Sequence, residues 1–220
     1  MSFQKMDSFS KNIANIRQDY CQATLSESET GNDPVLFFAK WFEQAQHAQC
    51  TEVNAMTLAT ADATGRPHAR IVLLKGLENG SFVFFTNYNS DKGHELAVNP
   101  YASLVFFWPE LQRQVRVEGL ISKVDPAYSD EYFYSRPTGS QIGAIASPQS
   151  HRIADRTVLE QSIAAIEAAG DIKRPEHWGG YQLQPQKIEF WQGRASRLHD
   201  RIVFEQTEGS DTWEQYRIAP

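Results

Sequence analysis

The 220-residue sequence predicts a mainly β fold with peripheral helices (α+β), built as an antiparallel barrel or sheet. Apolar runs with strand periodicity follow one another across short turn signals, the strongest being Asn79-Gly80. Helix starts of the form Asp-Pro fall before the first strands, at Asp33-Pro34, and between groups of strands, at Asp125-Pro126, instead of after every strand, so alternating parallel units are not expected. No Pro/Gly/Ser-rich linker divides the chain, which reads as a flexible arm over 1–32 and a single domain over 33–220.

Within the arm, one short helix is expected near Ile13 to Tyr20. Asp33 then offers a side-chain cap and Pro34 a first helical residue whose missing N–H has no cost there. Phe38, Trp41, Phe42 and Ala45 recur at helical spacing, an apolar stripe suited to packing on a sheet. Strands follow at Ala55 to Ala61 and Ala69 to Leu77, with a turn around Asp62 to Pro67 between them. Asn79-Gly80 leads into a strand at Phe82 to Asn87; the Asn79-Gly80-Ser81 triplet reads as this turn, not as a glycosylation site.

Ser90 is placed to cap a helix through Leu96 that stops near Asn99-Pro100. Strands are expected at Ala102 to Trp108 and Gln114 to Lys123. Asp125-Pro126 repeats the cap-and-proline start for a helix holding Tyr128, Tyr132 and Tyr134, ended by Arg136-Pro137. Ile153, Leu159, Ile163 and Ile166 mark a longer helix that Gly170 can terminate. Strands resume at Tyr181 to Leu183, Lys187 to Trp191, Ile202 to Gln206 and Trp213 to Ile218.

Composition narrows the functional classes. With 27 acidic against 21 basic residues the net charge is −6, which works against nonspecific attraction to nucleic acid or anionic membranes, so an anion site must be local. The apolar runs are too short to span a bilayer and Met1 to Tyr20 has no signal-peptide core; a cytoplasmic location is expected. Cys21 and Cys50 are too few for a disulfide framework, and the six histidines lack metal-ligand spacing. Dinucleotide, P-loop, zincin and serine-hydrolase motifs are absent.

Cations gather in several places. Arg70 and Lys75 bracket an apolar run, and Thr86, Ser90 and Lys92 surround a helix N-terminus able to add its own N–H groups toward an anion. Ile188 to Arg201 concentrates a Trp, a His and three Arg; if this segment is extended, Arg197, His199 and Arg201 share one face.

Taken together, Arg70 to Lys75 (R-I-V-L-L-K), Phe85-Thr86-Asn87, Arg113-Gln114-Val115, Tyr132 with Ser135-Arg136-Pro137, Ser140 to Ala144, Gln149-Ser150 and Ile188 to Arg201 resemble the pyridoxamine 5′-phosphate oxidase family in order and approximate spacing. The resemblance spans roughly Pro34 to Pro220, and more weakly Arg17 to Tyr20. It implies an FMN-binding split β-barrel, a homodimer with FMN between the subunits, and oxidation of pyridoxamine or pyridoxine 5′-phosphate to pyridoxal 5′-phosphate with O2 reduced to H2O2.

By the same resemblance, Arg70 and Lys92 neutralise the FMN phosphate with Gln149 and Ser150. Backbone groups of Ile71, Val72, Leu73 and Leu74, up to Lys75, line the flavin. Phe85 and Thr86 sit beside it, Gln114 hydrogen-bonds it, and Trp191 and Arg201 reach it across the dimer interface. Lys75, Tyr132, Arg136 and Ser140 surround the substrate phosphate, Arg197 and His199 hold the substrate ring and its reacting carbon, and Arg17 and Tyr20 add contacts from the arm. No metal is implied. One departure stands out: the family commonly has a second cation directly before Lys92, where this chain has Asp91. A different FMN-dependent split-barrel oxidoreductase and a noncatalytic flavin or pyridoxal phosphate carrier are the competing readings.

Overall fold

The computed structural model describes residues 13, 15, 16, 19–207, 210 and 212–220. Helices are α1 (Glu27–Thr30), α2 (Pro34–His47), α3 (Asp91–Val98), α4 (Pro126–Ser135), α5 (Thr138–Ala146) and α6 (Thr157–Ala169). Strands are β1 (Ala55–Ala61), β2 (Pro67–Leu73), β3 (Gly76–Glu78), β4 (Ser81–Asn87), β5 (Tyr101–Trp108), β6 (Arg113–Lys123), β7 (Trp178–Gln192), β8 (Asp200–Gln206) and β9 (Trp213–Arg217). All described pairings are antiparallel, in the order β2-β1-β5-β6-β7-β4-β3, with β8 on β7 and β9 on β8.

The sheet branches at β7. Its first half, from Trp178 to Leu183, pairs with β4, and its second half, from Lys187 to Gln192, pairs with β8, while β6 runs along almost its whole length. A strand with different partners on its two halves curls the sheet into the open, split form of a barrel. Helix α2 closes the inside: Asp33 Oδ1 accepts from the N–H groups of Val35 and Leu36 (2.8 and 3.1 Å), and Phe37, Phe38, Trp41 and Ala45 are buried. Phe38 meets the rings of Phe82 and Phe106 with centroids 4.9 Å away in each case, so the predicted apolar stripe is the centre of the core.

The Asn79-Gly80 turn has positive φ at both residues (49° and 81°), as a tight hairpin turn between β3 and β4 requires. The strand expected from Ala69 to Leu77 is divided. The N–H of Leu74 bonds Asn54 O and that of Lys75 bonds Val83 O, so the chain changes partners between these two residues. The two strands expected on either side of Pro185 are instead one strand, β7. A register shift between Glu118 and Gly119 accommodates the proline, which has no N–H to give to a ladder. Gly119 is required there because a Cβ would lie 2.0 Å from Gln184 O.

Helix α5 was not foreseen, and Ile153 lies outside α6, which Gly170 ends with φ +67°. Ser90 precedes α3 but does not cap it; its Oγ donates to Asn87 O at 2.6 Å. Of the short helix expected near Ile13 to Tyr20, residues 14, 17 and 18 lie outside the described residues; Ile13 is helical, whereas Asn15, Ile16, Asp19 and Tyr20 are not. No helix among the described residues is long and apolar enough to cross a membrane.

Candidate functional site

A cleft of about 560 Å³ opens between β2, β4, α3 and the α4–α5 pair. At one part of it Lys92 Nζ donates to Gln149 Oε1 (2.8 Å) and Ser90 Oγ (3.2 Å), neutral oxygens that leave its charge uncompensated. Burial and the nearby Arg70 both lower the Lys92 pKa. Arg70 is itself fixed from behind, by Thr60 Oγ1, by Leu58 O at 3.5 Å and by Glu95 Oε2 at 3.0 Å. The buried Glu95 carboxyl is kept ionised: burial opposes this, but hydrogen bonds from Thr60 and Arg70 outweigh it and lower its pKa. Lys92 and the Glu95-paired Arg70 lie close together beside the N-terminus of α3, an arrangement whose charge favours an anion.

Elsewhere in the cleft Phe85 stacks on Tyr132 (centroids 3.9 Å apart) and on Trp178 (5.6 Å). The Arg136 guanidinium lies 4.7 Å over the Trp178 ring, and its Nη1 is buried with no hydrogen-bond partner among the described residues. Burial lowers the Arg136 pKa. Lys75 and Ser140 share the same cleft, as do Thr86, the exposed Ile71 and Leu73 and the half-buried Val72. Leu74 does not line it: its side chain is buried, and its N–H and C=O are both bonded to Asn54. Ser150 adjoins Gln149 in the left-handed region (φ 72°) but is likewise not part of the wall.

A second group lies at the other end of β7. Gln114, Trp191 and Arg201 sit in register across β6, β7 and β8. Arg201 makes a forked pair with the buried Glu189, Nε to Oε1 at 2.8 Å and Nη2 to Oε2 at 3.0 Å. Tyr20, Arg197 and His199 border a cavity of about 740 Å³. The His199 ring is 4.6 Å from Trp191, and Tyr20 stands edge-on to Trp191 at 5.8 Å. Arg17 lies outside the described residues.

The expectation of an extended face is corrected here. Ala195–Arg197 form a 3-10 turn with positive φ at Ser196 and Arg197 (57° and 61°), and β8 starts only at Asp200. Arg197 and His199 therefore meet through a turn, while Arg201 points to Glu189.

His199 Nδ1 accepts the Arg194 backbone N–H at 3.0 Å, so the neutral ring carries its proton on Nε2. Burial, and then the Arg197 charge, lower its pKa. An NMR titration should give a midpoint below the ordinary value of about 6.5, and Arg197→Met should move it upward. Any activity needing the neutral ring is then retained as pH falls until that lowered midpoint is passed. A midpoint that does not respond to Arg197→Met would show that the two side chains do not interact.

Trp178 and Trp191 are thirteen residues apart on β7, up to about 40 Å at the usual ~3.3 Å rise. One protomer thus carries the cleft and the Trp191–His199 group at opposite ends of one strand. The sequence reading missed the carboxylates that fix the arginines, Glu95 and Glu189, and also Thr60 and Trp178. For Glu95, its place three residues after Lys92 on a helix was an available signal.

Comparison with known proteins supports a common origin over nearly the whole chain. The family described as pyridoxamine 5′-phosphate oxidase matches residues 42–169, and the pyridoxine 5′-phosphate oxidase C-terminal dimerisation region matches residues 178–220. The pyridoxine/pyridoxamine 5′-phosphate oxidase of Leptospira interrogans is 56% identical over 211 residues, covering 94% of this chain and 98% of that protein. That of Janthinobacterium is 53% identical over 210 residues, covering 94% and 99%.

Among solved structures, PhzG from Burkholderia lata in complex with tetrahydrophenazine-1-carboxylic acid matches with TM-score 0.85 and 27% identity, over 91% of this chain and 99% of that one. An FMN-binding, pyridoxamine 5′-phosphate oxidase-related protein from Nostoc punctiforme matches with TM-score 0.68 and 18% identity, over 90% and 100%, and supports the split-barrel fold alone. With two family regions and full-length relatives above 50% identity, the chain belongs to the pyridoxine/pyridoxamine 5′-phosphate oxidase family of oxidoreductases.

Proposed function

We propose that the protein is an FMN-dependent homodimeric oxidase that converts pyridoxamine or pyridoxine 5′-phosphate to pyridoxal 5′-phosphate, reducing O2 to H2O2. The observation that carries this reading is a single cleft lined by two pairs of cationic side chains, Arg70 with Lys92 and Lys75 with Arg136. A cofactor phosphate and a substrate phosphate need one set each. The residues fit: cations with free donors, a helix N-terminus, and an unpartnered buried guanidinium nitrogen.

In this reading Arg70, Lys92, Gln149 and Ser150 bind the FMN phosphate, and Ile71 to Leu73, Phe85 and Thr86 flank the ring system. Leu74 acts from behind, as packing. Lys75, Tyr132, Arg136 and Ser140 bind the substrate phosphate. Since Gln114, Trp191, Arg197, His199, Arg201 and Tyr20 lie at the far end of β7, they complete the partner protomer's cleft and not their own. Bound FMN supplies the two-electron acceptor that passes electrons on to O2. Arg197 and the His199 Nε2–H orient the substrate so that its reacting carbon loses hydride; the amine then gives the aldehyde and ammonia through hydrolysis, and the alcohol gives it directly.

The test is to supply each substrate to the FMN-loaded protein in air and follow aldehyde, peroxide and oxygen together. Yellow protein that makes neither aldehyde nor peroxide would overturn the oxidase and favour a carrier.

Asp91 is the exposed first residue of α3, next to Lys92. Asp91→Arg should tighten FMN a few-fold, because an exposed charge contributes roughly 0.2–1 kcal/mol. An unchanged or weaker dissociation constant in a fluorescence titration would show that the phosphate does not sense this position.

A further inference from the structure

Asp200, the first residue of β8, stands between His199 and Arg201 with its side chain 16% exposed. Its two oxygens gather donors from three separate segments of the chain. Oδ2 accepts the Leu25 N–H at 3.1 Å and Arg194 Nη1 at 2.9 Å, and Oδ1 accepts Arg217 Nη1 at 2.7 Å. Burial alone would raise the Asp200 pKa, but these donors outweigh it and lower it.

Two of the donors lead directly to the cavity around His199. Leu25 ends a segment that starts at Tyr20 and is also pinned by Gln112, whose Oε1 accepts the N–H groups of Cys21 and Gln22 at 3.0 and 3.3 Å. Arg194 is the residue whose backbone N–H bonds His199 Nδ1. The third, Arg217, closes the arrangement by donating through Nη2 to Leu25 O at 2.9 Å. Tyr20 is pressed onto the same loop: a Cβ on Gly193 would lie 2.7 Å from its ring, so this contact needs glycine.

We infer that Asp200 is a positioning residue of the substrate-facing cavity, holding Tyr20 through Leu25 and His199 through Arg194 in fixed relation to one another. The inference rests on the proposed reading that this cavity serves the substrate. The carboxylate itself matters, because an amide at this place would turn an N–H₂ toward one of the three donors.

Asp200→Asn in the FMN-loaded full-length homodimer tests it. The Michaelis constant for pyridoxamine 5′-phosphate should rise about tenfold or more with a smaller change in kcat, and FMN affinity should stay within about twofold. Backbone hydrogen exchange at Leu25 should quicken by about tenfold or more. Combined with Tyr20→Ala, Asp200→Asn should add clearly less than its full effect on KM, since only the part that acts through Arg194 and His199 remains. Fully multiplying effects, or an unchanged KM with unchanged Leu25 exchange, would overturn the inference. So would a drop in melting temperature with KM unmoved, which is what a merely structural role produces.

Should Asp200→Asn fail to fold, two measurements decide. Leu25 exchange at the free-chain rate in the unaltered protein would overturn the inference, and Arg194→Gln, which removes one donor, should raise KM in the same direction. If the unaltered protein oxidises neither substrate, the functional reading fails, yet Leu25 exchange still decides whether Asp200 holds the segment.

Discussion

Arg136→Met lowers kcat/KM for both phosphorylated substrates by roughly 100- to 1,000-fold, mostly through KM, with FMN affinity nearly unchanged. Removing one partner of a buried, hydrogen-bonded charge pair costs about 2–5 kcal/mol, and Arg136 is positioned for such a pair, with Nη1 buried and unpartnered among the described residues. The same substitution should raise the melting temperature of the phosphate-free protein. A half-buried guanidinium whose buried Nη1 has no partner among the described residues is a cost to the fold, and methionine fills similar space over the Trp178 ring without it. Opposite signs for function and stability separate a binding role from a structural one. A kcat/KM within about threefold of the unaltered protein would remove Arg136 from the substrate site.

Phe38→Ala is the substitution expected to damage the fold most. The ring is fully buried and meets Phe82, Phe106 and Trp108, with centroids 4.9, 4.9 and 6.1 Å away, so it joins α2 to β4 and β5. Truncating such a residue costs about 3–5 kcal/mol, and for a chain of this size each kcal/mol moves the melting temperature by roughly 2–4 °C. Calorimetry at fixed protein and FMN concentration should therefore show a fall of roughly 10 °C. A fall of under about 3 °C would mean that the cavity is refilled and that α2 is not anchored at this point.

Phe38 was legible in the sequence because a helix repeats its buried face every three or four residues, and the Asp33-Pro34 start fixed where the repeat begins. The Asn79-Gly80 hairpin was legible for a similar reason: two successive positive φ angles are easiest for those residues. Pro185 misled because proline ordinarily ends a strand, and only the facing residue, Gly119, reveals the bulge that lets β7 continue. The face imagined for Arg197, His199 and Arg201 failed at Ser196, where a left-handed residue redirects the chain and nothing local announces it.

The arginine partners were hidden for a different reason. Glu189 and Arg201 are neighbours only through the register of β7 with β8, and Glu95 meets Arg70 only because α3 packs beside β1 and β2. Composition identified the cations; the tertiary fold decided which of them are oriented by a carboxylate from behind, as Arg70 and Arg201 are, and which, like Arg136, have a buried nitrogen with no partner among the described residues.

Strand β7 has one more consequence on the proposed reading. With the cleft and the Trp191–His199 group at opposite ends of a single strand, every bound cofactor or substrate touches both protomers. Ligand occupancy and subunit association are then thermodynamically linked: whatever either ligand gains from the second protomer also tightens the dimer. Dilution would release FMN and separate subunits together, and saturating FMN would keep the pair assembled at concentrations where the bare protomers part.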